Sequence, residues 1–85
     1  MAISKELVAQ AIKDLSLRIN TPMQKISLKS VEAVDWPDAS LGCPEEGRMY
    51  AQVVTPGYRL MLSDGARDFE YHSDSLTRVR HCGGG

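Results

Sequence analysis

The sequence predicts a small α+β domain, with one N-terminal amphipathic helix packed on a mostly antiparallel sheet of four to five strands. Three observations carry this expectation. Apolar residues first recur at helical spacing, then switch to alternating, β-branched and aromatic runs, and turn-forming Pro, Gly, Asn and Asp residues separate those runs. At 85 residues the chain has room for one hydrophobic core only, expected over residues 1–82.

The helix is expected over residues 5–19. Leu7, Val8, Ala11, Ile12, Leu15 and Ile19 share one face, while Lys5, Gln10, Lys13, Asp14 and Arg18 occupy the other. Ser4 is placed to cap the N-terminus, and Glu6 sits in the first turn, where the helix dipole favours an acid. Asn20-Thr21-Pro22 ends the helix, because the residue before a proline avoids the α region; Pro22 begins one further short turn.

Residues 26–36 predict a long strand whose alternation slips between Leu28 and Val31, as a bulge would cause. Residues 37–47 hold two prolines and two glycines and form the main loop. A strand from Met49 to Val54, a tight turn at Thr55-Pro56-Gly57 and a strand from Tyr58 to Ser63 are expected next. Asp64-Gly65 is a hairpin signal. Residues 67–72 alternate Phe69 and Tyr71 against Asp68, Glu70 and His72, which puts the aromatic pair on the face of Leu60 and Leu62. After a turn at Ser73-Asp74-Ser75, a last strand is expected from about Leu76 to His81. Gly83-Gly84-Gly85 reads as a flexible tail.

Composition narrows the function. Apolar residues make up 42% and charged residues 25%, so the chain carries enough apolar surface to fold unaided. Ten Lys and Arg are interspersed with eleven Asp and Glu for a net charge of −1, too weak a field to gather phosphates, and nucleic acid is not expected as a partner. No stretch reads as a membrane span or a secretory leader, which points to a cytoplasmic protein. The two cysteines, Cys43 and Cys82, lie 39 positions apart, neither a CxxC spacing nor a multi-disulfide framework. A reducing compartment fits that usage best, and the spacing alone leaves their pairing open.

The segment from Trp36 to Tyr50 is the densest in unusual residues, and functional residues concentrate on such loops. Its candidate binding residues are Trp36, Asp38, Ser40, Leu41, Cys43 and Tyr50, joined by Gln52, Pro56 and Tyr58 from the following segment. The plainer account is that Trp36 and Leu41 plug the open end of the sheet, while Asp38 and Ser40 cap local turns. A nucleophilic site would need Cys43 or Ser40 beside His72 or His81. Both histidines fall on strand positions expected to be exposed, so no catalytic residue is expected. Cys43, His72, His81 and Cys82 are also a zinc-ligand set, but their spacing lacks the close pairs of structural zinc sites, and no metal or cofactor is expected.

Several resemblances bear on these expectations. Gln52-Val53-Val54-Thr55-Pro56-Gly57 resembles the Gln-x-Val-x-Gly hairpin wedge with which cystatins fill the cleft of papain-like peptidases, with one residue too many before the glycine. Residues 58–79 resemble the second half of PepSY-type domains, modules that accompany peptidases. The helix-then-strands order suits both folds. The widest resemblance, over residues 5–82, is to a family of small uncharacterised bacterial proteins. Its pattern stands here as Val34, Trp36-Pro37-Asp38, Ser40 to Pro44, Gly47, Tyr50, Gln52-Val53, Pro56 to Arg59, Phe69 to His72 and Cys82. That family resemblance implies that Cys43 and Cys82 form a matched pair, a candidate disulfide.

The function expected from all this is a non-catalytic module binding a protein or peptide, with a peptidase or its propeptide as the most specific partner to test. It would act as a monomer or weak dimer. A second class is the ubiquitin-like sulfur carrier, suggested by length and the terminal glycines; those proteins place a strand hairpin before their helix, the reverse of the order here.

Overall fold

The computed structural model describes residues 3–84. Helix α1 runs Lys5–Ile19, and a single 3-10 turn follows at Met23–Lys25. The strands are β1 Ser27–Trp36, β2 Thr55–Ser63, β3 Asp68–Asp74 and β4 Val79–Gly84, forming an antiparallel sheet in the order β1-β2-β3-β4. The α+β expectation of one helix on an antiparallel sheet holds, with four strands.

Local chemistry fixes the helix ends where the sequence places them. Ser4 Oγ accepts from Leu7 N at 3.2 Å, and Asn20 stops the helix in the left-handed conformation (φ 52°), which asparagine tolerates better than most residues. Leu7, Ala11 and Leu15 pack on Ile26, Tyr58, Leu60, Leu62, Phe69 and Tyr71, all essentially buried. Each large apolar side chain in that core contributes roughly 1.5–3 kcal/mol of transfer free energy. One polar bond also crosses the helix–sheet seam. Tyr71 donates its hydroxyl to Asp14 Oδ2 at 2.6 Å, and Arg18 reaches the same carboxylate. Burial pushes the Tyr71 hydroxyl up, and the Asp14 hydrogen bond adds to the rise.

The β1–β2 register slips between Leu28 and Ser30, at the expected bulge. Asp64 Oδ1 accepts from Ala66 N and Arg67 N and closes the expected β2–β3 hairpin, with Gly65 at φ 98°. Asp74 does the same at the next turn, accepting from Leu76, Thr77 and Arg78 N–H, each at 2.9 Å. Those three bonds hold residues 75–78 in the turn, so β4 starts at Val79 and not near Leu76.

Three sequence expectations are corrected. Met49–Val54 is not a strand: it crosses the surface outside the ladders of the sheet, with Met49, Val53 and Val54 exposed. Thr55-Pro56-Gly57 is not a turn but the start of β2, paired with Trp36, Asp35 and Val34. Pro56 precedes the first β2–β3 pair, Gly57 with Asp74, so its missing N–H takes no donor from β3. Lastly, β4 continues through Gly83 and Gly84, opposite Glu70 and Phe69, where a flexible tail is expected; Gly85 lies outside the described residues.

The helix sits toward β4 and leaves β1 largely bare. On the opposite face of the sheet, the long β1–β2 connection folds back as a second cover. That loop positions the candidate site.

Candidate functional site

Alternation sends Tyr71 to the helix side of β3 and its neighbour His72 to the other side, level with Arg59 of β2 and Arg80 of β4. The expectation of an exposed His72 is corrected here, since the residue is only 6% accessible. Two groups bury it. The Trp36 indole stacks on the imidazole at 4.3 Å between ring centres and 22° between planes, and the loop lays Leu41 across it. His81 alternates to the helix face instead, where its ring lies edge-to-face with that of Tyr71, 5.3 Å between ring centres, and is half-buried.

The loop achieves this with a tight backbone path. Asp38 Oδ1 accepts from Ser40 N and from the Ser40 hydroxyl, a local cap that holds the Asp38 carboxyl below its ordinary range. Leu41 then turns left-handed (φ 60°), an unfavourable conformation for a non-glycine residue, which is retained because its side chain is wholly buried. Gly42 follows at φ 70°. A Cβ there would lie 2.7 Å from the Trp36 ring, so the close approach requires glycine. One residue later, Cys43 is disulfide-bonded to Cys82 of β4, with Cα atoms 5.7 Å apart.

His72 therefore lies between two acceptors. Nδ1 is 2.7 Å from Leu41 O, and Nε2 is 2.5 Å from Glu70 Oε2. A carbonyl and an ionised carboxylate can only accept, so the ring satisfies both only when both nitrogens carry hydrogen. Glu70 is held below the ordinary carboxylate range, first by Arg59, whose Nη2 is 3.1 Å from Oε1, and then by His72. Arg59 also reaches Glu32 on β1 at 3.6 Å, extending a chain of alternating charge across three strands.

This chain has a pH consequence. A carboxyl with a depressed folded-state pKa stabilises the fold fully above its ordinary value of 4.5, and that contribution is lost as pH falls through the depressed value. Chemical unfolding followed between pH 7 and 3 should show the parent protein losing more stability than Glu70→Gln over the acidic part of that range. Parallel curves would mean that the carboxylate contributes nothing to folding.

A second clamp holds the rest of the loop. Arg80 Nη2 pairs with Glu45 Oε1 at 2.5 Å, and the Tyr50 hydroxyl accepts from Glu45 N at 3.0 Å and Arg80 Nη1 at 3.3 Å. The Arg80 bond, then the Glu45 N–H, hold the Tyr50 hydroxyl below its ordinary pKa.

The sequence-derived candidates thus divide. Trp36, Ser40 and Leu41 are buried under or within the loop, Cys43 is half-buried, and Asp38 serves Ser40. Tyr58 is in the core on the helix face, while Gln52 and Pro56 are exposed and belong to no cluster. Trp36 donates Nε1–H to Ser73 O at 2.9 Å, and with Leu41 it covers the sheet as a plug would. The cystatin-type wedge is absent as a hairpin, since residues 55–57 are paired in β2. Sequence reading missed Arg59, Glu70, Arg80 and Glu45. A signal for the first two existed, because alternation puts Arg59, Glu70 and His72 on one face of adjacent strands.

Among the described residues, no helix is long and apolar enough to cross a membrane. No curated protein and no solved structure matches the chain. A family model does match residues 8–82, which contain every residue of the loop, the disulfide and the His72 chain, and on that match the protein belongs to the family described as a domain of unknown function, DUF8738.

Proposed function

We propose that this domain is a non-catalytic module that binds an extended protein or peptide segment along β1. The observation that carries this reading is the state of that strand. It is a ten-residue edge strand, exposed along nearly its whole length, with Leu28 and Val31 each 37% accessible on the side facing α1. An open edge offers unpaired backbone N–H and C=O groups to an incoming strand, and apolar side chains at alternate positions offer it side-chain contacts. A shallow cleft lined by Ala33, Asp35, Pro56 and Ser75 opens at the C-terminal end of the strand and could take one side chain of such a segment.

The chemistry of the loop supports the non-catalytic half of the reading. Cys43 is tied to Cys82, and Ser40 donates to Asp38, so neither is a free nucleophile beside His72. The disulfide also favours an oxidising compartment over the cytoplasm expected from the sequence. The resemblance of residues 58–79 to PepSY-type modules makes a peptidase-derived segment the first partner to test.

The test is an amide chemical-shift titration of the intact protein with synthetic extended peptides carrying β-branched residues at alternate positions. Shifts confined to residues 27–36, abolished by Val31→Lys with the far-ultraviolet spectrum unchanged, are expected. Shifts mapping to the loop at 45–54, or none at millimolar peptide, would overturn the assignment to β1.

A further inference from the structure

We infer that reduction of the Cys43–Cys82 bond converts the loop–sheet junction into a zinc site whose protein ligands are Cys43, Cys82 and His72. The inference is independent of the binding role given to β1.

Three observations converge. The two sulfurs and a ring nitrogen of His72 all lie within 4.8 Å of one another. Tetrahedral zinc, with Zn–S near 2.3 Å and Zn–N near 2.0–2.1 Å, requires its ligand atoms about 3.5–3.8 Å apart, so opening the disulfide brings the triad into range with small side-chain movements. His72 is also pre-oriented by a carboxylate. Glu70 Oε2 holds Nε2, and Arg59 holds Glu70, which is the outer-sphere arrangement that fixes the tautomer of a zinc-ligating histidine and leaves its other nitrogen for the metal. That other nitrogen, Nδ1, faces the loop that carries Cys43 and now meets Leu41 O. The third observation is the backbone path. Leu41 and Gly42 are both left-handed immediately before Cys43, so Leu41 O can turn away from Nδ1 through rotation at Gly42 without dismantling β3 or β4.

The chemistry balances as follows. A dithiol reductant supplies two electrons and two protons and is itself oxidised to a disulfide, leaving Cys43 and Cys82 as thiols. Zinc binding then expels both thiol protons, and any proton on Nδ1, so that two thiolates and a neutral imidazole face the metal. Three protein ligands leave one coordination position for water or an exogenous ligand. Two thiolates with one imidazole select a soft or borderline ion, and calcium or magnesium would not compete.

In the test, intact protein is reduced with an excess of a phosphine, which does not bridge metals, and is titrated with zinc under native-spray mass spectrometry and with cobalt(II) by visible spectroscopy. One zinc per reduced chain, none on the oxidised chain, and the thiolate-to-cobalt bands of a tetrahedral site are expected. His72→Ala should weaken binding at least 100-fold, and Glu70→Gln by 10- to 100-fold. Should the reduced chain unfold, zinc is expected to restore its helical circular dichroism, a readout that needs no folded starting state. The inference is overturned by zinc binding that is unchanged in His72→Ala, by affinity no greater than that of the Cys43→Ser, Cys82→Ser chain, or by an unfolded reduced chain that zinc does not refold.

Discussion

Reducing the Cys43–Cys82 bond in metal-free buffer, or replacing both cysteines by serine, is expected to lower the unfolding free energy by about 4 kcal/mol. The figure follows from the entropy that a cross-link at this spacing of 39 residues removes from the unfolded chain. It is large beside the roughly 5–15 kcal/mol that holds a domain of this kind together. The bond joins the loop to β4, the sheet edge whose other covalent connection is the turn at residues 75–78. Urea unfolding with and without phosphine measures the loss, and amide exchange should accelerate first across residues 37–54. A loss below about 1 kcal/mol would mean that Trp36, Leu41 and the Arg80–Glu45 pair already hold the loop closed, and that the bond adds a covalent constraint to a geometry specified without it.

Much of the fold was legible because local chemistry and the tertiary structure agree. Ser4, Asp64 and Gly65 act within a few residues of themselves, so their roles can be assigned from sequence and hold in the structure. The failures occur where a partner decides. Met49–Val54 has the residue types of a strand but pairs with none of the four, and Thr55-Pro56-Gly57 has the residue types of a turn but lies where β1 supplies backbone partners. His72 illustrates the same limit at the site. Its alternation correctly separates it from Tyr71, yet exposure on that face depends on whether a loop 31 residues earlier in the chain folds across it, and no local pattern reports that. The candidate loop itself was recognised by its density of Trp, Cys, Pro and Gly. What the sequence withheld is that Trp36, Ser40 and Leu41 face inward, with Trp36 and Leu41 packed over His72, while β1 lies exposed along nearly its whole length.

Trp36→Ala is expected to destabilise the protein by about 3–5 kcal/mol, the range for deleting a buried aromatic side chain. The indole is 7% accessible, stacks on His72, abuts Gly42 and reaches across the sheet from β1 to Ser73 of β3. Removing it uncovers the stacked face of His72 and leaves the Ser73 carbonyl without its indole donor. Trp36→Phe separates these contributions: it keeps a ring for the stack but loses the Nε1–H donor, and a cost of roughly 1–3 kcal/mol is expected for the orphaned acceptor and the reduced volume. Both are read from urea midpoints at neutral pH. A value for Trp36→Ala under about 1 kcal/mol would show that the ring contributes no more than a surface residue and that the loop cover is not a packed layer. The two large effects should also be coupled, because Trp36 and Cys43 fasten the same loop. In the reduced chain, where that loop has lost its covalent anchor, Trp36→Ala should cost less than in the oxidised chain, by 0.5 kcal/mol or more on the scale typical of neighbouring sites. Strict additivity would instead separate the disulfide from the Trp36–His72 stack, and the loop would then be two independently held segments.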